Sequence, residues 1–158
     1  DFTSVDLSFR TSDAQADSSI DVTAPKAKGF VDGIFKACYS MLSEEYPSLA
    51  NVKLHDYRLK PNFAKTIALS GSDAKVEVTI MMEVRDHGIA EFSSISRSIL
   101  HSSFIATLEA FQFYINCERS FRKIKLSLED ARTRNRGDIS QLCLADLSVL
   151  TEVNTYAP

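Results

Sequence analysis

The chain of 158 residues has few of the residues that form disulfide frameworks or nucleotide-binding loops. It contains three cysteines, five glycines, four prolines and no tryptophan. An odd number of widely spaced cysteines is typical of reduced thiols rather than of a disulfide framework. The glycines form neither a Gly-x-Gly-x-x-Gly run nor a Gly-x-x-x-x-Gly-Lys loop. These absences argue against a disulfide scaffold and against a standard phosphate-binding loop.

An excess of positive charge and a long apolar run are also lacking. Eighteen basic and 21 acidic residues give a net charge of −3, so no general attraction to a polyanion is expected. No stretch reaches the roughly 20 apolar residues of a membrane span, and the opening residues lack the basic and apolar regions of a signal peptide. We expect a soluble intracellular protein with neither a nucleic acid nor a membrane as partner. Because the first residue is Asp, we expect a processed chain or a piece of a longer one.

Apolar periodicity in the first half predicts the order strand, strand, helix, strand. Apolar residues alternate with polar ones over 5–9 and again over 20–24, which is the pattern of half-buried strands. Between residues 30 and 42 they recur every three or four positions, as on one face of a helix. Residues 52–59 return to a strand pattern, and residues 60–72 carry the small and turn-forming residues of a loop.

The second half repeats this order. Residues 75–84 are the strongest strand candidate, and a turn at Asp86-His87-Gly88 leads into a second strand over 89–95. A helix pattern follows over 98–119, and residues 124–128 have strand spacing. Each element lies about 70 residues after its counterpart, which indicates an internal duplication. The predicted fold is α+β and two-layered, with two strand-strand-helix-strand units whose helices pack on small antiparallel sheets.

The duplicated domain is predicted to span residues 1–131, with halves of about 1–60 and 73–131. A polar, basic break follows over residues 132–137. Leucines at helical spacing over 139–153 then predict a short helix that packs back on the domain. The tail, residues 132–158, therefore lies outside the duplication.

Residues suited to catalysis or metal binding are scattered. His55, His87 and His101 fall on a predicted strand, turn and helix, and none has metal-ligand spacing to another ligand. Cys38 and Cys117 fall on predicted helices, where a cysteine commonly packs as a small apolar residue. We expect no metal, no cofactor and no catalytic residues in this segment. A small enzyme that uses Cys38 or His55 is kept as a third hypothesis.

Two surface features have alternative interpretations. The basic run from Arg119 to Arg136 is interleaved with acidic residues, so a solvent-exposed face is favoured over a phosphate-binding site. Aromatic residues crowd more than one side of the second predicted helix, at Phe104, Phe111 and Phe113. One of those sides is predicted to meet either a neighbouring element or a partner chain.

The chain contains four ordered motifs, which are AKGFVDGIFKA at residues 27–37, DYRL at 56–59, GSDA at 71–74 and SRSILHSS at 96–103. Together they resemble the C-terminal regulatory domain of 2-isopropylmalate synthase and the related citramalate synthase. The segment AKGFVDGIFKA, residues 27–37, resembles the Gly-x-Gly-Pro-Val-Asp-Ala helix start of that family. DYRL at 56–59 is similar to its Asp-Tyr strand, and GSDA at 71–74 before VEVTIMMEV is similar to its Gly-x-Asp-Ala strand. SRSILHSS at 96–103 resembles its second helix start. Order and spacing agree over about residues 3–120.

This resemblance implies an allosteric domain that forms a homodimer and binds leucine or isoleucine at the dimer interface for feedback inhibition. The parent enzyme would be an acetyl-CoA-dependent transferase acting on a 2-oxo acid in a separate metal-dependent barrel, which these residues do not include. A glycine-containing helix start offers backbone N–H groups and the positive end of a helix dipole to a carboxylate. The ligand-binding residues implied by the motifs are Ala27, Gly29, Val31, Asp32, Tyr57, Pro61 and Ala74.

Two roles are open for Asp32, which either caps backbone N–H groups or accepts a hydrogen bond from the ligand ammonium. Tyr57 either reaches the ligand with its hydroxyl or packs in the sheet. The chain also departs from the family pattern, with Lys28 and Phe30 in the glycine-proline turn and Ser98 in place of the second aspartate. The alternative function is therefore a degenerate dimerisation module that binds no ligand.

Overall fold

A computed structural model describes residues 3–10, 19–62 and 75–156 of the chain. The elements in chain order are β1 (Thr3–Arg10), β2 (Ser19–Ala27), α1 (Phe30–Leu42), a short 3-10 helix (Pro47–Asn51), β3 (Val52–Asn62), β4 (Lys75–Val84), β5 (Gly88–Ser96), α2 (Ile99–Thr133) and α3 (Gly137–Val153). None of the helices in these ranges combines the length and the apolarity needed to cross a membrane.

The strands form two antiparallel sheets. β1 pairs with β2 as a hairpin, and β4 is the central strand of a second sheet in the order β3-β4-β5. Tyr57, Ile80 and Phe92 form one row across the second sheet. On the other face, the hydroxyls of Thr79 and Ser93 lie 2.8 Å apart. The face of Ile80 carries the buried Val78 and Met82, whereas the opposite face is mixed, because Met81, Ile89 and Ile95 lie there beside polar residues.

The core lies between the sheets and the helices. α1 packs on the β1-β2 hairpin, α2 packs on β4 and β5, and the two helices contact each other. Alternate residues of β4 are buried against them, with Val78, Ile80 and Met82 fully buried. Apolar area removed from water stabilises a fold by about 25 cal/mol per Å², so this central strand is the main anchor of the core. The predicted two-layer α+β class is confirmed.

Most predicted elements are found close to their predicted places. β4 occupies residues 75–84 as predicted, and the order β1, β2, α1, β3 is that of the predicted first half. β4, β5 and α2 repeat the strand-strand-helix order. β3 continues through Asn62, three residues into the predicted loop, whose remainder lies outside the described residues.

The predicted strand over residues 124–128 is wrong, because these residues belong to the helix α2. No glycine or proline interrupts residues 99–133, and Ile124, Leu128 and Ala131 recur at helical spacing as well. Leu128 and Ala131 are buried, and α3 packs against α2. A partner helix, rather than a sheet, therefore covers this apolar face, and the second half of the chain lacks the final strand of the first.

The C-terminal helix forms as predicted and packs on the long helix α2. Only residues 134–136 separate the two helices, and the turn places Asn135 at a positive φ of 54°. The predicted domain boundary between residues 131 and 132 lies inside α2. The last half of α2 and the whole of α3 therefore form an antiparallel helical hairpin, which we call the α2–α3 hairpin (residues 119–153).

Candidate functional site

The start of α1 is the part of the fold that carries most of the implied ligand residues. β2 ends at Ala27, and Gly29 is the N-cap of α1 in an extended conformation, with φ 167° and ψ 178°. The first backbone bond of the helix runs from the N–H of Gly33 to the carbonyl of Gly29, at 2.9 Å. Among the described residues, no side chain caps the N–H groups of the first turn.

In the described part of the chain, the side-chain direction at Gly29 is open. A Cβ built on this residue would meet no atom within 4 Å. Because the extended backbone at Gly29 suits any residue, the glycine is not required by strain. A small anion that approaches the first turn of α1 would occupy this space and would meet the positive end of the helix dipole.

Asp32 is already held by two groups of the same chain. Its Oδ2 accepts a hydrogen bond from the backbone N–H of Lys28 at 2.7 Å and forms an ion pair with Lys36 Nζ at 2.7 Å. Partial burial raises the pKa of this carboxyl, but the hydrogen bonds and charges of Lys36 and Lys28 outweigh that and leave its pKa below the ordinary value. These contacts do not cap an N–H group of α1, because the N–H of Lys28 precedes the N-cap Gly29. The two open roles of Asp32 stay predictions.

The other implied residues are either buried or lie elsewhere. Ala27 is fully buried and Val31 is part of the core cluster. Both side chains therefore pack under the start of α1 instead of facing a ligand. Tyr57 and Pro61 are exposed on β3, and in the described part of the chain β3 has no extensive contact with β2 or α1. Ala74 lies outside the described residues. The structure therefore gathers the residues of the β2–α1 junction and leaves the β3 residues apart from them.

The start of α2, the counterpart of the α1 start in the duplication, is closed by its own side chains. Ser98 is the N-cap, and its Oγ accepts a hydrogen bond from the backbone N–H of His101 at 3.3 Å. Ser96 Oγ in turn accepts from the backbone N–H of Ser98 at 3.0 Å and from Ser102 Oγ at 2.8 Å. A serine hydroxyl therefore caps the start of α2, whereas α1 has no side-chain cap.

Cys38 and His55, the residues of the third hypothesis, lie on the separate elements α1 and β3. Cys38 is buried in the core, and desolvation raises the pKa of its thiol to about 11, the opposite of an activated thiolate. His55 is exposed on β3, with Nδ1 at 3.5 Å from Glu83 Oε2. Among the residues that the structure describes, no group of three or more metal-ligating side chains comes together.

Sequence reasoning did not find a polar junction between α2 and the 3-10 helix. Glu118 is buried, and its Oε2 accepts hydrogen bonds from the Ser48 backbone N–H at 3.2 Å and from Ser48 Oγ at 2.6 Å. Arg122 donates to the same carboxylate and to the carbonyl of Glu45. Its guanidinium also lies 5.7 Å from the centre of the Tyr46 ring. The sequence gives no sign that Glu118 is buried, because a single glutamate in a basic, amphipathic helix is usually predicted to face solvent.

A second unforeseen junction holds the residues that follow α3. Asn154 is fully buried, and its Nδ2 donates to the carbonyl of Ser48 at 3.1 Å. His87, in the β4–β5 turn, donates from Nδ1 to the carbonyl of Glu152 at 3.1 Å. The Tyr156 ring stacks on Phe121 with 4.6 Å between ring centres. These contacts tie the end of the tail to three separate elements of the domain.

The aromatic crowding on α2 is partly resolved within the chain. Phe113 contacts Phe92 of β5, with 5.7 Å between ring centres, but remains 41% exposed. Phe111 is buried and contacts Phe35 of α1 at 5.3 Å. Neighbouring elements thus cover most of these rings, and a partner chain at Phe113 stays a prediction.

Comparisons with known proteins leave the identity of the fold open. A scan of protein-family models, a search of curated proteins and a search of solved structures each found no match to this chain. The resemblance to the synthase regulatory domain therefore depends on the four motifs and on the repeated strand-strand-helix order.

Proposed function

We propose that this chain is a non-catalytic regulatory and dimerisation domain of a 2-isopropylmalate synthase-like enzyme. In this proposal it binds a branched-chain amino acid, leucine or isoleucine, at a dimer interface and mediates feedback inhibition of a separate catalytic barrel. The parent would be a cytoplasmic enzyme of branched-chain amino acid biosynthesis.

The observation that carries the proposal is the contrast between the two helix starts. α2 is capped by Ser98, whereas α1 begins at Gly29 with open space and no side-chain cap. The N–H groups and the dipole of α1 suit the α-carboxylate of an amino acid. The exposed Lys28 adds a positive charge beside them. One site in each chain, at α1, is therefore proposed, and none at α2.

The second candidate function is a dimerisation module that has lost its effector. Asp32, the group proposed to receive the ligand ammonium, is bound to Lys36 and to the N–H of Lys28. Two lysines compete for that carboxylate, and Phe30 stands where the family has proline. This candidate predicts the same dimer without any small-molecule affinity.

Isothermal titration of the full chain with leucine and isoleucine, in separate experiments, tests the proposal. Gly29→Ala is the informative variant, because its methyl group meets nothing in the fold but enters the space proposed for the carboxylate. Gly137→Ala is the matched control, since Gly137 also has open space around it but lies at the start of α3. We expect saturable binding of one amino acid, weakened by about tenfold or more in Gly29→Ala alone.

The possible outcomes separate the two candidates. A folded dimer that gives no heat with either amino acid would overturn the effector proposal and support the dimerisation module. Equal binding by Gly29→Ala and the parent chain would place the ligand away from α1. A monomer at tens of micromolar by analytical ultracentrifugation would contradict both candidates.

A further inference from the structure

The helix α3 presents a second apolar face to solvent, opposite the face that it packs on α2. Leu142 is 68% exposed and Val149 is 62% exposed, and Ala145 lies exposed between them. Asp138 and Glu152 extend this line at its two ends. The spacing of these five residues alternates between four and three, which places them on one side of a helix, as in the seam of a coiled coil. We call residues 138, 142, 145, 149 and 152 the outer stripe.

The outer stripe is not needed for the packing of α3 within the chain. Cys143 is buried toward α2, and Leu147 and Leu150 are half-buried on the same side. Soluble helices commonly carry one apolar face and cover the other with charged or polar residues. Two large aliphatic side chains on the solvent side, one helical heptad apart, are therefore unaccounted for by the fold of one chain.

The two helices of the α2–α3 hairpin carry opposite net charges. Residues 119–133 include five basic and two acidic residues, whereas α3 has three acidic residues and no basic one. The ion pairs of this region join Arg122 to Glu118, Arg134 to Asp130 and Arg136 to Asp138. In the described part of the chain, no ion pair connects the remaining bases of α2 to Asp146 or Glu152 of α3. These charges are thus free to meet a partner.

The basic half of α2 also has an apolar ridge. Leu126 is 67% exposed. A cleft of about 380 Å³, lined among others by Pro47 and Phe121, lies on one flank of Leu126. A second cleft of about 460 Å³, lined among others by Ala131 and Ile139, lies on the other. A ridge between two grooves is the shape that an approaching helix can interlock with.

We propose that a second copy of this chain covers the hairpin, with the outer stripe of α3 lying along the basic half of α2 in the partner. A two-fold axis makes the contact twice, and the two hairpins then form a four-helix bundle. The two surfaces are of similar length, since 15 to 17 helical residues span roughly 22 to 25 Å. Leu142 and Val149 would pack beside Leu126 of the partner subunit.

The charges select this arrangement over a contact between two α3 helices. An antiparallel pair of α3 helices would set Asp138 of one copy against Glu152 of the partner subunit, and like charges that face each other are destabilising. Against α2, Glu152 would meet Arg119 or Lys123 of the partner subunit, while Asp138 keeps its ion pair with Arg136 of its own chain. This contact assumes the homodimer proposed above and adds a surface that does not include the start of α1, so a failed amino acid titration leaves it intact.

Sedimentation of the full chain over a range of micromolar concentrations tests the apolar part of the contact. We expect a monomer–dimer equilibrium whose dissociation constant rises at least about tenfold in Leu142→Ser and in Val149→Ser. Leu144→Ser is the matched control, because Leu144 is 48% exposed on the same helix but lies off the outer stripe. An equal loss in Leu144→Ser, or a parent chain that stays monomeric, would overturn the proposal.

A charge reversal tests which helices meet. The first variant carries Arg119→Glu and Lys123→Glu on α2, and the second carries Asp146→Lys and Glu152→Lys on α3. Each alone is expected to be monomeric with an unchanged helix signal in circular dichroism, because all four side chains are exposed. Mixing the two is expected to restore dimers, since both α2–α3 contacts are then between opposite charges. An unaffected α2 variant, or folded variants that do not associate on mixing, would overturn the pairing.

Discussion

The hydroxyl of Ser48 donates to the buried carboxylate of Glu118 at 2.6 Å, across 70 residues of sequence. The backbone N–H of Ser48 donates to the same oxygen, so one carboxylate satisfies two groups of the 3-10 helix. Ser48 also accepts from Asn154 at its carbonyl. The 3-10 helix is thereby fixed to α2 on one side and to the end of the tail on the other, and it sets the position from which β3 enters the sheet.

Replacement of Glu118 is expected to destabilise the domain strongly. In Glu118→Ala the buried N–H and hydroxyl of Ser48 lose their acceptor, and Arg122 loses its ion pair. Leaving buried polar groups unsatisfied costs about 1–3 kcal/mol, and more where a charge is involved. We therefore expect urea denaturation to give a free energy of unfolding lower by about 2–4 kcal/mol.

Asp130→Ala provides the control for this loss. Asp130 and Arg134 form an ion pair with the same four-residue spacing on the same helix, but both side chains are mostly exposed. Such surface pairs contribute about 0.2–1 kcal/mol or less. If the two variants lost similar stability, the burial of Glu118 would not be the source of its effect.

Asn154→Ala is expected to loosen the tail from the domain. The Asn154 side chain is fully buried and also accepts from Asn51 Nδ2 at 3.2 Å. Its removal leaves the carbonyl of Ser48 without that donor, for a loss of about 1–3 kcal/mol. Hydrogen exchange should become faster over residues 150–156 in particular. Thr155→Ala is a milder comparison, because the Thr155 side chain is exposed and its hydroxyl hydrogen-bonds to the half-buried His87 ring. Unchanged exchange in Asn154→Ala would contradict the prediction.

The sequence predicted those parts of the fold whose apolar residues have a single period. β4 alternates except at Met81, and its predicted bounds are the observed ones. Residues 124–128 fit two periods at once, since Ile124, Leu126 and Leu128 alternate while Ile124 and Leu128 also share a helix face. Only the packing of α3 on that face decides for the helix. A local pattern cannot contain this information, because it depends on a tertiary contact.

The candidate site was predictable only where its residues are neighbours in sequence. Gly29 and Asp32 lie together because they belong to one β–α junction. Tyr57 was grouped with them through the family resemblance, and its place on the edge strand β3 depends on how two separate sheets are arranged. The Ser48–Glu118 contact joins residues 70 positions apart. No periodicity indicates which buried acid will meet which hydroxyl.

Stability is expected to decrease with rising pH above about 9, in part because of Cys38. Burial raises the pKa of this thiol from 9.0 to about 11 in the folded chain. Between these two values the unfolded state loses its proton first, so the free energy of unfolding falls as the pH rises. The contribution is complete below about pH 9 and is lost toward pH 11, with a magnitude of about 3 kcal/mol.

Urea denaturation of the parent chain and of Cys38→Ala between pH 8 and 11 tests the contribution of the thiol. The variant loses some stability at every pH because it shortens a core side chain, but its stability should fall less steeply above pH 9. Burial also raises the pKa of Tyr114, to about 12. Because both proteins retain Tyr114, it contributes equally to their loss of stability at high pH. Parallel pH profiles would show that Cys38 does not contribute the expected slope.

Gly88 and Gly137 are expected to respond to alanine with opposite signs. Gly88, in the β4–β5 hairpin, has a φ of +96°, a conformation that L residues rarely adopt, although a Cβ there would meet no atom within 4 Å. Gly88→Ala should therefore cost about 1 kcal/mol or more through backbone strain alone. Gly137 begins α3 with equally open space, and Gly137→Ala should stabilise by about 0.4–1 kcal/mol by restricting the unfolded chain. Thermal denaturation of both variants measures the difference, and a loss of stability in Gly137→Ala would mean that the start of α3 makes a contact that the methyl group disturbs.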